Sequence, residues 1–255
     1  MKTDPMTLPP HVPPVLYDIH KLYGHTLAAL DGEVGTVKDF YFDDRHWVIR
    51  YLVVETGSWL RGREVLLSPH AFGDWNRERN VLSINLTRQQ IEGSPSIESH
   101  KPVSRQYEIE YYNYYGWPVY WNGGAIWGFG GFPVILPPSK DAMEAHLQPQ
   151  HPDVHLQSIN AVTGYQIHAT DGAIGTVSGF RVDDHSWAIA ELAVATGHWF
   201  SGKEVLIAPS RIQRISYEDS SVYVDLTKAD LQRTRDQEEV DADRPGNRVG
   251  PTMPS

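Results

Sequence analysis

The sequence predicts an all-β protein made of two small β-barrels in tandem, joined by an aromatic-rich linker with short helices. Three observations carry this. The stretch DGEVGTV at Asp31–Val37 returns as DGAIGTV at Asp171–Val177. The two copies hold a constant offset, and about 25 of 65 aligned positions are identical, too many for coincidence and too long a period for a solenoid of short units. Each copy consists of short, β-branched runs divided by turn residues.

The elements of the first copy follow in order. HTLAAL (25–30) is a strand, and Asp31-Gly32 is the turn after it. GTVKDFYFDD (35–44) is a second strand running into a turn that Asp43-Asp44 can form and cap. HWVIRYLVVET (46–56), EVLLSP (64–69) and VLSINL (81–86) complete the set, the last alternating apolar and polar residues as a half-buried strand does. Strands this short escape open edges by closing into a small barrel. Thr87 and Thr227 are expected N-caps of short terminal helices. Asp31, Gly32 and Gly35, with Asp171, Gly172 and Gly175, read as structural turn residues: the turn opens a strand, whereas a phosphate-binding loop opens a helix. The expected organisation is a Pro-rich arm (1–15), a first barrel (16–95), an aromatic linker (96–157), a second barrel (158–234) and a disordered tail (235–255).

Composition narrows the function. With 32 acidic and 22 basic residues the net charge is −10, which argues against general nucleic-acid binding. There is no cysteine, so disulfides, thiolate metal sites and cysteine nucleophiles are excluded. The segment MKTDPMTLPPHVPPV has no apolar run of signal-peptide type, and its prolines favour an extended arm; the expectation is a cytoplasmic protein. The stretch 111–139 is uncharged, but its glycines with Pro118 and Pro133 break a membrane-spanning helix. Membrane contact is therefore expected to be peripheral at most.

These residues resemble a known family. The pattern Gly24…Asp31-Gly-x-x-Gly-Thr-Val…Phe40…Asp43-Asp…Trp47…Gly62-x-Glu-Val-Leu…Pro69, repeated in the second copy, is similar to the PRC-barrel, an SH3-like barrel. That domain forms the cytoplasmic part of the photosynthetic reaction-centre H subunit and occurs in a ribosome maturation factor. The resemblance implies a non-catalytic interaction or adaptor module. It also brings two alternatives, an RNA or ribosome-maturation factor and a peripheral component of a photosynthetic membrane complex. The fold hosts unrelated roles, so it marks architecture more than function.

Candidate chemistry is sparse. Asp43-Asp44 and Asp183-Asp184 could hold a divalent cation, but turn capping is the stronger reading. Glu64 and Glu204 are expected to pair with Arg61, Arg63 or Lys203. His151 and His155 have metal-ligand spacing, but Pro152 pushes His151 out of helix. No nucleophile elbow is present. Hence no enzyme, no metal and no cofactor is expected. The candidate interaction residues are aromatic. Trp59 and Trp199 sit in matching loops, where each can cover its own barrel, pack on the other barrel or meet a partner. Tyr111, Tyr112, Tyr114, Tyr115, Trp117 and Trp121 lie in the linker, the first five within a stretch (104–117) that can form a short helix capped by Ser104. That segment is expected to dock the barrels or to mediate homodimerisation, with rings buried and polar tips wet. The expected partner is a protein of unknown identity or a second copy. A face of Arg45, Arg50, Arg61 and Arg63 would favour RNA instead.

Overall fold

A computed structural model describes residues 15–95, 103, 105–121, 124–128, 130–134, 156–197 and 204–233. The first unit runs β1 (Leu16–Asp18), β2 (Thr26–Ala29), β3 (Gly32–Asp43), β4 (Val48–Glu55), β5 (Glu64–Leu67), β6 (Phe72–Asn76) and β7 (Val81–Ile84), followed by α1 (Arg88–Glu92). The linker contributes α2 (Arg105–Tyr115). The second unit begins at β8 (Leu156–Ser158) and α3 (Ile159–Val162). It continues with β9 (Gln166–Ala169), β10 (Gly172–Asp183), β11 (Ile189–Thr196), β12 (Glu204–Ile207), β13 (Ile212–Ser216) and β14 (Ser221–Val224).

Each unit forms a seven-stranded sheet of the same order. The first runs β5-β4-β3-β2-β7-β6 and the second β12-β11-β10-β9-β14-β13. Pairing is antiparallel except between β2 and β7 and between β9 and β14. The expected hydrogen-bonded closure is not seen: among the described residues no ladder joins the two ends of either sheet. Strand β6 escapes sequence reading because FGDWN carries Gly73 and Asp74, poor strand formers, and its register slips between Phe72 and Trp75; its counterpart β13, IQRIS, slips between Ile212 and Arg214.

The leading strands are exchanged between units. β1 pairs with β10, Leu16 opposite Asp183 and Asp18 opposite Arg181. β8 pairs with β3, Leu156 opposite Asp43 and Ser158 opposite Tyr41. Each sheet is thus completed by three residues from the other half of the repeat. No periodicity in a three-residue strand reveals its partner, so the sequence carried no signal for this.

The polar contacts at the exchange follow the same symmetry. Ser158 caps α3 through the amide of Ala161, and its hydroxyl bonds Asp39 at the middle of β3. Asp18 caps the helical turn Ile19–Leu22 by accepting from the amide of His20. The apolar residues between these caps, Ile19, Leu22, Ile159 and Val162, are fully buried. Apolar anchors inside polar caps fix the depth at which each exchanged strand enters its host sheet.

Candidate functional site

The duplicated turn is built from three constraints. Asp31 accepts the amide of Arg88 at 2.7 Å, and Asp171 accepts that of Lys228 at 3.0 Å, so each turn aspartate holds the start of the terminal helix. Thr87 caps α1 in a reciprocal box with Gln90, and Thr227 does the same with Asp230. Gly35 (φ 138°) and Gly175 (φ 157°) lie where β3 and β10 bulge. A Cβ on Gly35 would stand 2.1 Å from the carbonyl oxygen of Glu55, and one on Gly175 2.2 Å from that of Ala195. Only glycine permits that approach.

In each aspartate pair the first member caps the turn, as expected, while Asp44 accepts from the Tyr217 hydroxyl and Asp184 from Arg77. Asp43 accepts the amides of Arg45 and His46, and Asp183 accepts those of His185 and Ser186. Each turn ends on a tryptophan in the left-handed region, Trp47 at φ 54° and Trp187 at φ 58°. That conformation is a genuine outlier for so bulky a residue. It aims each tryptophan carbonyl across the seam. Trp187 O accepts the amide of Ile49 at 2.8 Å, and Trp47 O accepts that of Ile189 at 2.6 Å. The Trp187 ring is buried against Phe40 and Phe72 of the first unit. Barrel-to-barrel packing, considered for Trp59 and Trp199, is made by Trp187 among the described residues. Trp59 covers its own sheet: its indole donates to Val34 O at 2.7 Å and Arg88 lies over its ring. Trp199 lies outside the described residues, as do Ser104, His151, His155, the arm before Val15 and the tail beyond Arg233.

Among the described residues helix α2 caps the first unit. Tyr111 and Tyr112 are fully buried and Trp117 nearly so, while Tyr115 and Trp121 are half-buried. Of the named linker rings only Tyr114 is exposed, at 44 %. The expected wet polar tips are not what the buried tyrosines have. Tyr111 donates to Leu66 O at 3.1 Å and accepts from Ser68 N at 3.0 Å, closing the free edge of β5. Tyr51 and Tyr120 both donate to Glu108, which also pairs with Arg105 at 2.9 Å. Burial pushes the Glu108 carboxyl up, against the pull of Arg105 and the two hydroxyls.

Beside this network Arg50 is 1 % exposed. It pairs with Asp43 at 3.0 Å and lies 3.8 Å over the Tyr120 ring and 4.9 Å over Trp127. Burial alone would raise the Asp43 carboxyl; Arg50 and the hydrogen bond from His46 outweigh it and hold the group below its usual value. His70 is stacked on Trp117 and held neutral, with its pKa lowered to about 4 by burial and the nearby Arg50 charge. The second unit has Ala190 and Glu191 where Arg50 and Tyr51 stand, so it offers neither the cation nor the ring on which such a cap rests.

Sequence reasoning missed Arg50, Glu108 and His70 as a buried group. The signal was available in one form: Arg50 and Tyr51 are charged or polar in an otherwise apolar strand, and the repeat does not preserve them. Arg63 donates to the carbonyls of Glu92 and Ser94. Two of the four arginines of the supposed basic face are thus committed internally. Glu64 pairs with Lys38 rather than with the arginines expected, and Glu204 accepts from Ser178 at the matching place.

Where the units meet, an open groove of about 510 Å³ is lined by Phe72, Trp75, Trp187, Phe132, Val134 and Asp184 among others. It draws on β6, on the turn after β10 and on the linker. Phe132 and Val134 are 54 % and 48 % exposed, the most exposed large apolar residues after Leu30 among those described. Arg77 crosses the seam to Asp184 at 2.9 Å and lies over the rings of Tyr17 and Trp75. Asp183, Asp184 and His185 form the one cluster among the described residues that could approach a metal ion. Their oxygens are already engaged by backbone amides, by His185 and by the Arg77 cation, which disfavours a second positive charge there.

Against known families, residues 14–91 match the PRC-barrel domain. No curated protein matches the chain. PRC-barrel domains are non-catalytic adaptor folds, and residues 14–91 match that domain.

Proposed function

We propose that the chain is a tandem pair of PRC-barrel units, intertwined through their leading strands, that docks a protein partner at the groove between them. One observation supports this above the rest. Among the described residues most of the linker rings are buried or half-buried, yet Phe132 and Val134 stand exposed beside an aromatic-lined groove at the unit junction. Exposed apolar residues rimming a groove with charged edges are the usual mark of a docking site. The linker aromatics are then an internal clamp on the first unit. They secure the scaffold and leave recognition to the seam.

The RNA alternative loses ground because Arg50 is buried and Arg63 is bound to carbonyls, leaving little of the arginine face for phosphate. For membrane association the relevant fact is that no helix of the described residues is long and apolar enough to cross a bilayer.

The test is affinity recovery from native lysate, with and without nuclease. It compares the wild type with a Phe132→Ser, Val134→Ser double variant shown to unfold at the same denaturant concentration. A nuclease-resistant protein that the variant no longer recovers is the expected result. Nuclease-sensitive recovery of ribosomal components, or recovery unchanged in the variant, would overturn the proposal.

A further inference from the structure

Strands β5 and β12 are matching sheet edges, and among the described residues only β5 is closed. On β5 the hydroxyl of Tyr111 takes up the outward carbonyl of Leu66 and the outward amide of Ser68. β12 keeps the same register on β11 that β5 keeps on β4: Ala193 pairs with Leu206 as Val53 pairs with Leu66. The carbonyl of Leu206 and the amide of Ala208 therefore face outward too, and among the described residues no side chain bonds either. Burial follows the same difference. Leu66, Ser68 and His70 are buried, whereas at the matching places Leu206 is half-buried and Ala208 and Ser210 are exposed. An edge with outward donors and acceptors is a template for another chain.

The two faces differ in bulk and in charge. Beside β5 the first unit supplies Arg50 and Tyr51; beside β12 stand Ala190 and Glu191, so an occupant must bring the bulk itself. Tyr51 donates to Glu108 of the helix that covers it. The Glu191 carboxylate cannot donate and would repel an acid at that place. Glu191 meets the Arg181 cation at 3.5 Å. Glu204, at the start of β12, accepts from the neutral Ser178 where Glu64 has Lys38. Arg211, beyond Ala208, is taken up by Asp225 at 3.0 Å. Carboxylate is thus in excess along this edge.

We propose that the β12 edge seats a helix of a partner protein, one that offers a ring hydroxyl to Leu206 O and the Ala208 amide and a basic residue to Glu191. Helix α2 supplies the pattern: an amphipathic helix with a tyrosine hydroxyl closes this kind of edge. Glu191 inverts the charge the helix has to carry. A helix with an acid where α2 has Glu108 is turned away, which separates the two faces by charge. The seat shares no residue with the lining of the seam groove.

The probe is a synthetic peptide of residues 105–121 carrying Glu108→Lys, added to the full isotope-labelled chain, with the native-sequence peptide as comparison. NMR reads the amide of Ala208, and that of Ser68 serves as the edge already covered. The expected result is a shift and slowed solvent exchange at Ala208 but not at Ser68. The charge-reversed peptide should bind roughly tenfold or more tightly than the native one, the difference between a paired and a repelled charge across a close interface. Glu191→Lys in the chain should reverse that preference. Glu191→Gln should abolish it, and guards against a fold disturbed by setting a second cation beside Arg181. No binding of the charge-reversed peptide at about 1 mM, equal binding of the two peptides, or shifts that leave Ala208 untouched would overturn the proposal. So would an Ala208 amide that becomes protected on raising the protein concentration alone, because the occupant would then be a second copy.

Discussion

Replacing Gly35 by alanine tests the repeat and the exchange together. The new Cβ would sit 2.1 Å from Glu55 O and 3.0 Å from Thr56 Cα, both backbone atoms of the neighbouring strand. Relief requires β3 and β4 to part by about 1 Å, where real Cβ contacts begin at about 3 Å. Three costs combine: about 1–3 kcal/mol for a side chain at this φ, about 1 kcal/mol for a weakened ladder bond, and lost packing of Val34 and Val54 behind it. A total of about 3 kcal/mol is expected. Gly24→Ala is the control. Its φ is also positive, at 74°, but nothing lies within 4 Å of the added carbon. It should cost about 1 kcal/mol, the left-handed penalty alone. Urea unfolding followed by tryptophan fluorescence reads both, with stability taken from the midpoint at constant slope. Gly175→Ala should match Gly35→Ala. Because each sheet carries a strand of the other, both variants should lower one shared transition. Equal midpoints for Gly35→Ala and Gly24→Ala would refute the close-approach argument, and two separate transitions would refute the intertwined fold.

Three further outcomes are expected. Trp187→Ala should cost about 4 kcal/mol, because it empties a site packed between Phe40 and Phe72 across the seam; a loss under 1 kcal/mol by the same urea titration would contradict the packing. Tyr111→Phe should cost about 1–2 kcal/mol, since one hydroxyl serves both Leu66 O and Ser68 N, and amide exchange at Ser68 should accelerate; unchanged exchange there would argue that another group closes the β5 edge. His70, with its folded pKa depressed to about 4 from an ordinary 6.5, binds its proton more weakly folded than unfolded. Its neutral form therefore contributes stability that is whole above pH 6.5 and lost as pH falls towards 4, about 3 kcal/mol across the window. The upward-shifted Glu108 carboxyl works in the opposite sense, so a His70→Gln variant, which removes only the histidine, should flatten or reverse the acid slope, and an unchanged slope in urea midpoints between pH 4 and 7 would refute the assignment.

Much of the architecture was legible in the residues. A duplicated Asp-Gly turn, a glycine at a strand bend and paired aspartates closing the next turn are local devices. Their geometry is set within a few bonds, so pattern and spacing reveal them. The threonine caps of the terminal helices are readable for the same reason. Even the difference between units was visible at Arg50 and Tyr51, which the repeat exchanges for alanine and glutamate.

Tertiary structure decided what those local devices are for. Strands of three residues at Leu16 and Leu156 have no periodicity that names a partner, and only assembled sheets show them exchanged. The linker tyrosines are amphipathic, so composition alone permits a wet surface or a dry core. The choice fell to Leu66 and Ser68, distant in sequence, and to Glu108 of the linker helix itself, which take up their hydroxyls inside. Among the tryptophans, position in the repeat made Trp59 and its counterpart Trp199 the candidates for contact between units and passed over Trp187. A left-handed turn at Trp187 carried its ring across the seam, while a carbonyl at Val34 kept that of Trp59 at home. Local chemistry thus determined the turns and strands of each unit. Long-range pairing, which no short window of sequence encodes, determined how the two became one molecule and where its groove lies.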